Sequence, residues 1–145
     1  MTTFVTGSAG FIGFHVAKQL LKEGEEVIGL DNLNDYYSKQ LKIDRNSILE
    51  DFDEYTFIHN DLCDYEKLEE IFAENEINRI CHLAAQAGVR HSIEDPHTYQ
   101  KSNLEGFTNI LEIARHNDVE NLVYASSSSV YGGNDKIPYD VGDDV

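Results

Sequence analysis

Positive charge is what this chain has least of. Eleven Lys and Arg stand against 27 Asp and Glu in 145 residues, for a formal charge of −16. Such a surface repels phosphate backbones and anionic lipid, so neither nucleic acid nor a membrane surface is expected as a partner. Solubility, or a salt-adapted host, accounts for the acidity. Cysteine is scarce as well. Cys63 and Cys81 lie in apolar contexts with no partner at metal-ligand spacing, and read as free, buried thiols of a reducing compartment. The six histidines are scattered, none paired at the spacing of a zinc site, so no metal is expected. Long apolar runs are missing too: nothing approaches the ~20 residues that span a bilayer. Met1 to Thr6 lacks the basic and extended apolar regions of a signal peptide. The expected location is cytoplasmic.

What the chain does have is alternation. Thr3 to Thr6 is short and β-prone, and Phe11 to Lys22 carries apolar residues at helical spacing. Strands are expected again at 26–30, 55–59, 79–83 and 121–126, and helices at 41–50, 65–74 and 96–116. Asp64 opens the second of these helices; Asp95 caps the last, with Pro96 at its first position. Strands alternating with helices imply parallel pairing through right-handed crossovers. The expected fold is therefore α/β: a Rossmann-type, doubly wound parallel sheet in three layers, α/β/α. The tail from Gly132 to Val145 is polar and rich in Gly and Asp. A doubly wound sheet normally continues past this point, so the domain is expected to be incomplete after about its fifth strand, with that strand left as an exposed edge.

The chemistry begins at Gly7-Ser8-Ala9-Gly10-Phe11-Ile12-Gly13, between the first strand and the first helix. Gly7 permits a sharp turn, Gly10 lets the backbone approach a pyrophosphate, and Gly13 lets helix and sheet pack closely. The free N–H groups of the helix start then face the phosphates. Asp31 ends the second strand, where such folds place the acid that binds the adenosine ribose. Its carboxylate would accept from both ribose hydroxyls and repel a 2′-phosphate, which selects NAD over NADP. Asp61, just past the third strand, occupies a rim position where an acid and a neighbouring N–H can meet adenine; Asp-Leu-Cys-Asp is equally a good turn and helix cap.

These motifs, with Asp31-Asn32-Leu33, Asn60-Asp61-Leu62, His82-Leu83-Ala84-Ala85, Asn103-Leu104-Glu105-Gly106 and Ser126-Ser127-Ser128-Ser129-Val130-Tyr131-Gly132, resemble the extended short-chain dehydrogenase/reductase family, specifically its nucleotide-sugar epimerases and dehydratases. The likeness runs over essentially the whole chain. Asp31-Asn32-Leu33-Asn34-Asp35-Tyr36-Tyr37 and Ala84-Ala85-Gln86-Ala87-Gly88-Val89-Arg90 look most like UDP-glucuronate 4-epimerases, which interconvert UDP-glucuronate and UDP-galacturonate.

The resemblance assigns roles by position. Cofactor contacts are implied for Gly7, Ala9, Gly10, Phe11, Ile12, Gly13, Asp31, Asn32, Asn34, Asp61 and Leu62. They are implied too for Leu83, Ala84, Ala85 and Gln86, and for Asn103 on the long helix. Ser127 would hydrogen-bond the sugar's reacting oxygen, with Ser128 and Ser129 as competitors. Gln86 and Arg90 would meet substrate, Arg90 or a nearby backbone nest receiving a uronate carboxylate. The family's base is a tyrosine in Tyr-x-x-x-Lys. None of the eight tyrosines has lysine four residues on; Tyr99, for example, is followed there by Asn103 and Tyr131 by Asp135. The catalytic dyad and the sugar-binding lobe are therefore expected to be absent, and residues 1–145 alone to be inactive. A UDP-sugar is the implied substrate of the full-length enzyme, and a homodimer through the 96–116 helix is an implied assembly. Two alternatives stay open: another NAD-dependent sugar-nucleotide epimerase or dehydratase, and a non-catalytic NAD-binding module.

Overall fold

Alternate residues of the first strand point to opposite sides, and both sides are apolar: Phe4 and Val5 are each fully buried. A strand that is apolar on both faces must be covered twice, which makes it the centre of a layered sheet. The computed structural model describes residues 1–145 and shows that arrangement. The chain runs β1 (Thr2–Thr6), α1 (Phe11–Lys22), β2 (Glu26–Asp31), α2 (Lys39–Leu49), β3 (Tyr55–His59), α3 (Tyr65–Glu74) and β4 (Arg79–His82). It continues with two short helices, α4 (His91–Glu94) and α5 (Pro96–Tyr99), then a π-helical segment Gln100–Glu105, α6 (Gly106–His116), β5 (Asn121–Tyr124) and a 3₁₀ turn Ser128–Tyr131. No helix is long and apolar enough to cross a membrane.

The five strands are all parallel, in the order β3-β2-β1-β4-β5. The order reverses beside β1, which pairs with β2 on one side (Phe4 opposite Ile28) and β4 on the other (Phe4 opposite Ile80). In an open sheet of this kind, the crevice beyond the strand C-termini at the reversal is where ligands bind. Two cores form, one per face. Phe4, Ile28, Leu30 and Ile80 pack against Leu68, Ile71 and Phe72 of α3 and Ile110 and Ile113 of α6. Val5 and Val27 pack against Phe14, Ala17 and Leu21 of α1, Leu49 of α2, and Tyr55. The second face is unfinished at one side: Val123 of β5, in register with Cys81 and Val5, is more than half exposed.

Three details depart from the sequence expectations. The segment 96–116 is helical throughout but is not one α-helix, because its middle winds as a π-helix. That wider turn carries Asn103, whose side chain is drawn to the backbone of Gln86. The fifth strand stops at Tyr124 rather than 126, so the serines lie beyond it, exposed. Cys63 and Cys81 are unpaired, as expected, but half-buried.

Candidate functional site

A cleft opens beyond the C-terminal ends of β1, β2, β3 and β4. It is lined by Gly7, Gly10, Asp31, Asn32, Asn34, Asp61, Leu62, Leu83, Ala84, Ala85 and Gln86 among the residues singled out from the sequence. Lys42, Tyr36, Tyr37, Asn60 and Ser102 line it as well, and none of these was anticipated.

The floor is the loop from Gly7 to Gly13. Gly7 has φ +70°, a left-handed conformation that lets the chain turn out of β1, and a Cβ there would lie 2.9 Å from Ala84 Cα. At Gly13 a Cβ would stand 2.0 Å from the Gly7 carbonyl oxygen, so any larger residue would push α1 off the loop. The first α1 bond to the loop runs from Phe14 N–H to Gly10 O, 3.0 Å. The N–H groups of Phe11, Ile12 and Gly13 therefore have no partner in the helix. Nor does α1 carry a side-chain cap or an acidic residue in its first turn. The contrast with α3 is plain, since Asp64 there accepts from Lys67 N–H and Glu66 sits in the first turn. The positive dipole end of α1 is thus left free at the glycine loop, beside the cleft, where it can meet a negative charge from outside the protein.

The rim is a connected set of polar side chains. Asp31 is 6% exposed. Its Oδ1 accepts from Leu33 N–H at 2.8 Å and its Oδ2 from Ala9 N–H at 3.2 Å, tying β2 to the glycine loop. Leu33 takes φ +48° to close that turn. Lys42 reaches across from α2, its Nζ 3.7 Å from Asp31 Oδ1 and donating to Asn34 Oδ1 at 2.6 Å. Asn34 N–H donates to Asn32 Oδ1, and Asn32 Nδ2 to Asp61 Oδ2 at 2.8 Å. Burial pushes the Asp61 carboxyl upward, but the Asn32 amide and the Cys63 N–H outweigh it and hold the group below its ordinary value. Beside it, burial and the Asp61 carboxylate push the Cys63 thiol up to about 11, which keeps it protonated and unreactive.

The far wall is built from β4 and the segment after it. Thr6 Oγ1 accepts from both Leu83 N–H and Ala84 N–H, each at 3.1 Å. With its lone pairs so used, its hydrogen goes to His82 Nδ1, 2.8 Å away. Burial then pulls the His82 pKa down to about 4, and the neutral ring stacks on Phe107. Asn103 brackets Gln86: its Oδ1 accepts from Gln86 N–H at 2.7 Å, and its Nδ2 donates to Gln86 O at 3.0 Å. Tyr99 Oη donates to the Ala87 and Gly88 carbonyls, and the Tyr36 and His91 rings pack at a tilt nearby, centroids 5.2 Å apart.

Not every candidate is in the cleft. Ala9 is fully buried beneath it, and Phe11 and Ile12 are exposed along the outside of α1. Arg90 is exposed at the start of α4. Ser127 caps the 3₁₀ turn, its Oγ accepting from Ser129 N–H at 3.2 Å, and Ser127, Ser128 and Ser129 are all exposed at the open side of β5.

The family model described as GDP-mannose 4,6 dehydratase matches residues 4–143. The chain belongs to that family. Protein CapI of Staphylococcus aureus is 49% identical to it over 145 residues, all of this chain and 43% of CapI. UDP-glucuronate 4-epimerase 4 of Arabidopsis thaliana is 46% identical over 140 residues, 96% of this chain and 32% of that protein. The structure of UDP-glucuronic acid 4-epimerase from Bacillus cereus, in complex with UDP-glucuronic acid and NAD, superposes with a TM-score of 0.85 at 33% identity, covering 94% of this chain and 43% of that one. The chain thus spans less than half the length of these relatives.

For this member of the dehydratase family, the unanticipated lining residues divide by how visible they were. Asn60 immediately follows β3, and the first residue past a parallel strand at the sheet's reversal is a natural lining position. Lys42 carried no such signal, since a lysine on a helix normally faces water.

Proposed function

We propose that residues 1–145 form the NAD-binding portion of a nucleotide-sugar 4-epimerase that interconverts UDP-glucuronate and UDP-galacturonate. The observation that carries this reading is the cleft itself: Gly7 and Gly10 line it where they lead into the uncapped start of α1, and the buried Asp31 carboxylate lines it at the end of β2. The residues fit a dinucleotide. The glycine cradle leaves no room for a Cβ at Gly13. Asn60 Nδ2, in the cleft wall, is a buried donor with no partner in the protein, and such donors are rare unless a ligand or water completes them. Likeness to the Bacillus cereus and Arabidopsis enzymes supports the cofactor and the sugar.

In this reading the N–H groups of Phe11, Ile12 and Gly13 bind the pyrophosphate, and Asp31 takes the adenosine ribose. Asp61 and Leu62 meet adenine. Leu83, Ala84 and Ala85 leave space for the nicotinamide ribose. When bound, NAD supplies the acceptor for hydride removed at the sugar C4 carbon and its donor for return to the opposite face. Ser127, with Ser128 or Ser129 as alternatives, holds the reacting sugar oxygen by its hydroxyl, and Arg90 receives the uronate carboxylate. The α6 side of the 96–116 segment, where Leu104 and Leu111 are exposed, would face a second subunit.

Isothermal calorimetry with ADP-ribose and NAD tests the cofactor assignment. Saturable one-to-one binding of ADP-ribose is the expected result, and no binding of either ligand overturns it. None of the eight tyrosines heads a Tyr-x-x-x-Lys sequence, so the 145-residue polypeptide with UDP-glucuronate and NAD should form no UDP-galacturonate. Chromatographic detection of product would show that the base lies elsewhere. The family model's own description favours one second reading, a sugar-nucleotide 4,6-dehydratase. A 4,6-dehydratase eliminates water by loss of the C6 hydroxyl, which UDP-glucuronate lacks, so a substrate panel separates the two: a 4-keto-6-deoxy product from a 6-hydroxymethyl sugar nucleotide favours the dehydratase, and UDP-galacturonate from UDP-glucuronate favours the epimerase.

A further inference from the structure

Two formally charged side chains are buried in this protein, and they face each other across the cleft. Lys42 is 5% exposed and Asp31 is 6% exposed. A buried ammonium is costly unless it is paired and hydrogen-bonded. Lys42 meets both conditions inside the candidate site: Asp31 Oδ1 at 3.7 Å, Asn34 Oδ1 at 2.6 Å, and the Tyr37 ring 5.0 Å away. A helix of this amphipathic type could have left the ammonium in water, as it leaves that of Lys39. One turn on, Arg45 is engaged elsewhere, its Nη1 directed to Ala9 O and Tyr37 Oη.

This arrangement alters what Asp31 can do. A lone carboxylate beside the adenosine ribose rejects a 2′-phosphate by charge. Here the carboxylate is neutralised by an ammonium that also lines the cleft. We propose that Lys42 is a specificity-determining residue. The balance of the Asp31–Lys42 pair, rather than Asp31 alone, sets how strongly the site prefers an unphosphorylated adenosine ribose to a 2′-phosphorylated one. The proposal rests on the reading of the cleft as the NAD site.

The pair makes opposite predictions for its two members. Lys42→Met or Lys42→Gln leaves Asp31 uncompensated, so rejection of the 2′-phosphate sharpens. Asp31→Asn leaves the ammonium free to receive the phosphate, so the preference collapses or reverses. The readout is the ratio of dissociation constants for 2′-phospho-ADP-ribose and ADP-ribose, measured by calorimetry on the 145-residue chain. That ratio should rise by about tenfold in the Lys42 variants and fall by at least about tenfold in Asp31→Asn, each step corresponding to ~1.4 kcal/mol. Lys42→Gln keeps a donor for Asn34 and serves if Lys42→Met melts too low to test. A merely structural lysine would weaken both ligands equally and leave the ratio within about twofold of the parent; that result overturns the proposal. If the parent chain binds neither ligand, the NAD reading itself falls and takes this one with it, so the two failures are distinguishable.

Discussion

At His82 the imidazole is neutral in the folded protein because burial opposes its charging, and its pKa drops to about 4 from an ordinary 6.5. The unfolded chain takes up the proton near 6.5, whereas the folded chain resists until about 4. The depressed group thus contributes stability that is fully present above pH 6.5 and is lost as pH falls toward 4, by at most about 3 kcal/mol. The thermal midpoint should fall across that window, and His82→Gln should flatten the fall; an unchanged slope would mean the ring is not held neutral. Asp61 acts at lower pH. Its carboxyl is held below its ordinary 3.8, so its contribution is intact above that value and disappears only in stronger acid. Neither behaviour could be read from the sequence, because burial decides the first, and burial together with a partner 29 residues away decides the second. Asp31 and the three loop glycines were legible for the opposite reason. Their places around the cleft follow from backbone geometry within one strand–turn–helix unit. Lys42 was illegible: helical spacing says which face a residue occupies, not that a neighbouring loop will fold over it.

Among the elements, the segment from β4 to α6 departs furthest from what periodicity predicts. A π-helical stretch of six residues is too short for its period to be told from 3.6 by the spacing of apolar residues. Its effect is nonetheless specific, because the Asn103 side chain takes both main-chain groups of Gln86. Asn103→Ala should leave those groups without partners and cost about 1–3 kcal/mol. Hydrogen exchange offers the sharper reading. Amides of 86–92 should exchange faster in the variant while those of β1 and β2 keep their protection, and uniform acceleration would mean the bracket supports the whole domain rather than one loop. Two of the misplaced boundaries, His82 for 83 and Tyr124 for 126, lie where strands run out into loops and the ladder ends; the helix expected at 41–50 is also shifted, to Lys39–Leu49, and the strand expected at 26–30 ends at Asp31.

For the molecule as a whole, the layering and parallel pairing were legible from alternation and the exposed fifth strand from counting strands, whereas the order β3-β2-β1-β4-β5 was not read from the sequence. β5 presents an unpaired edge with Val123 58% exposed and Tyr124 53% exposed. An apolar edge of this kind templates pairing with another chain, although the charge of −16 opposes close approach. Sedimentation velocity should therefore show association that grows with protein and salt concentration and that Val123→Lys reduces; a monomer at all salt concentrations would show that the charge prevails. The position of β1 has a consequence for the order of events during synthesis. This strand is made before both of its partners, β2 and β4, which begin at residues 26 and 79. Its Thr6 hydroxyl is satisfied only when Leu83 and Ala84 arrive. Translation proceeds at about 5–20 residues per second, so the strand that centres the fold waits several seconds for its second neighbour. The first strand of the sheet to be made is thus among the last to be enclosed, and the cleft cannot close before Ala84 has been added.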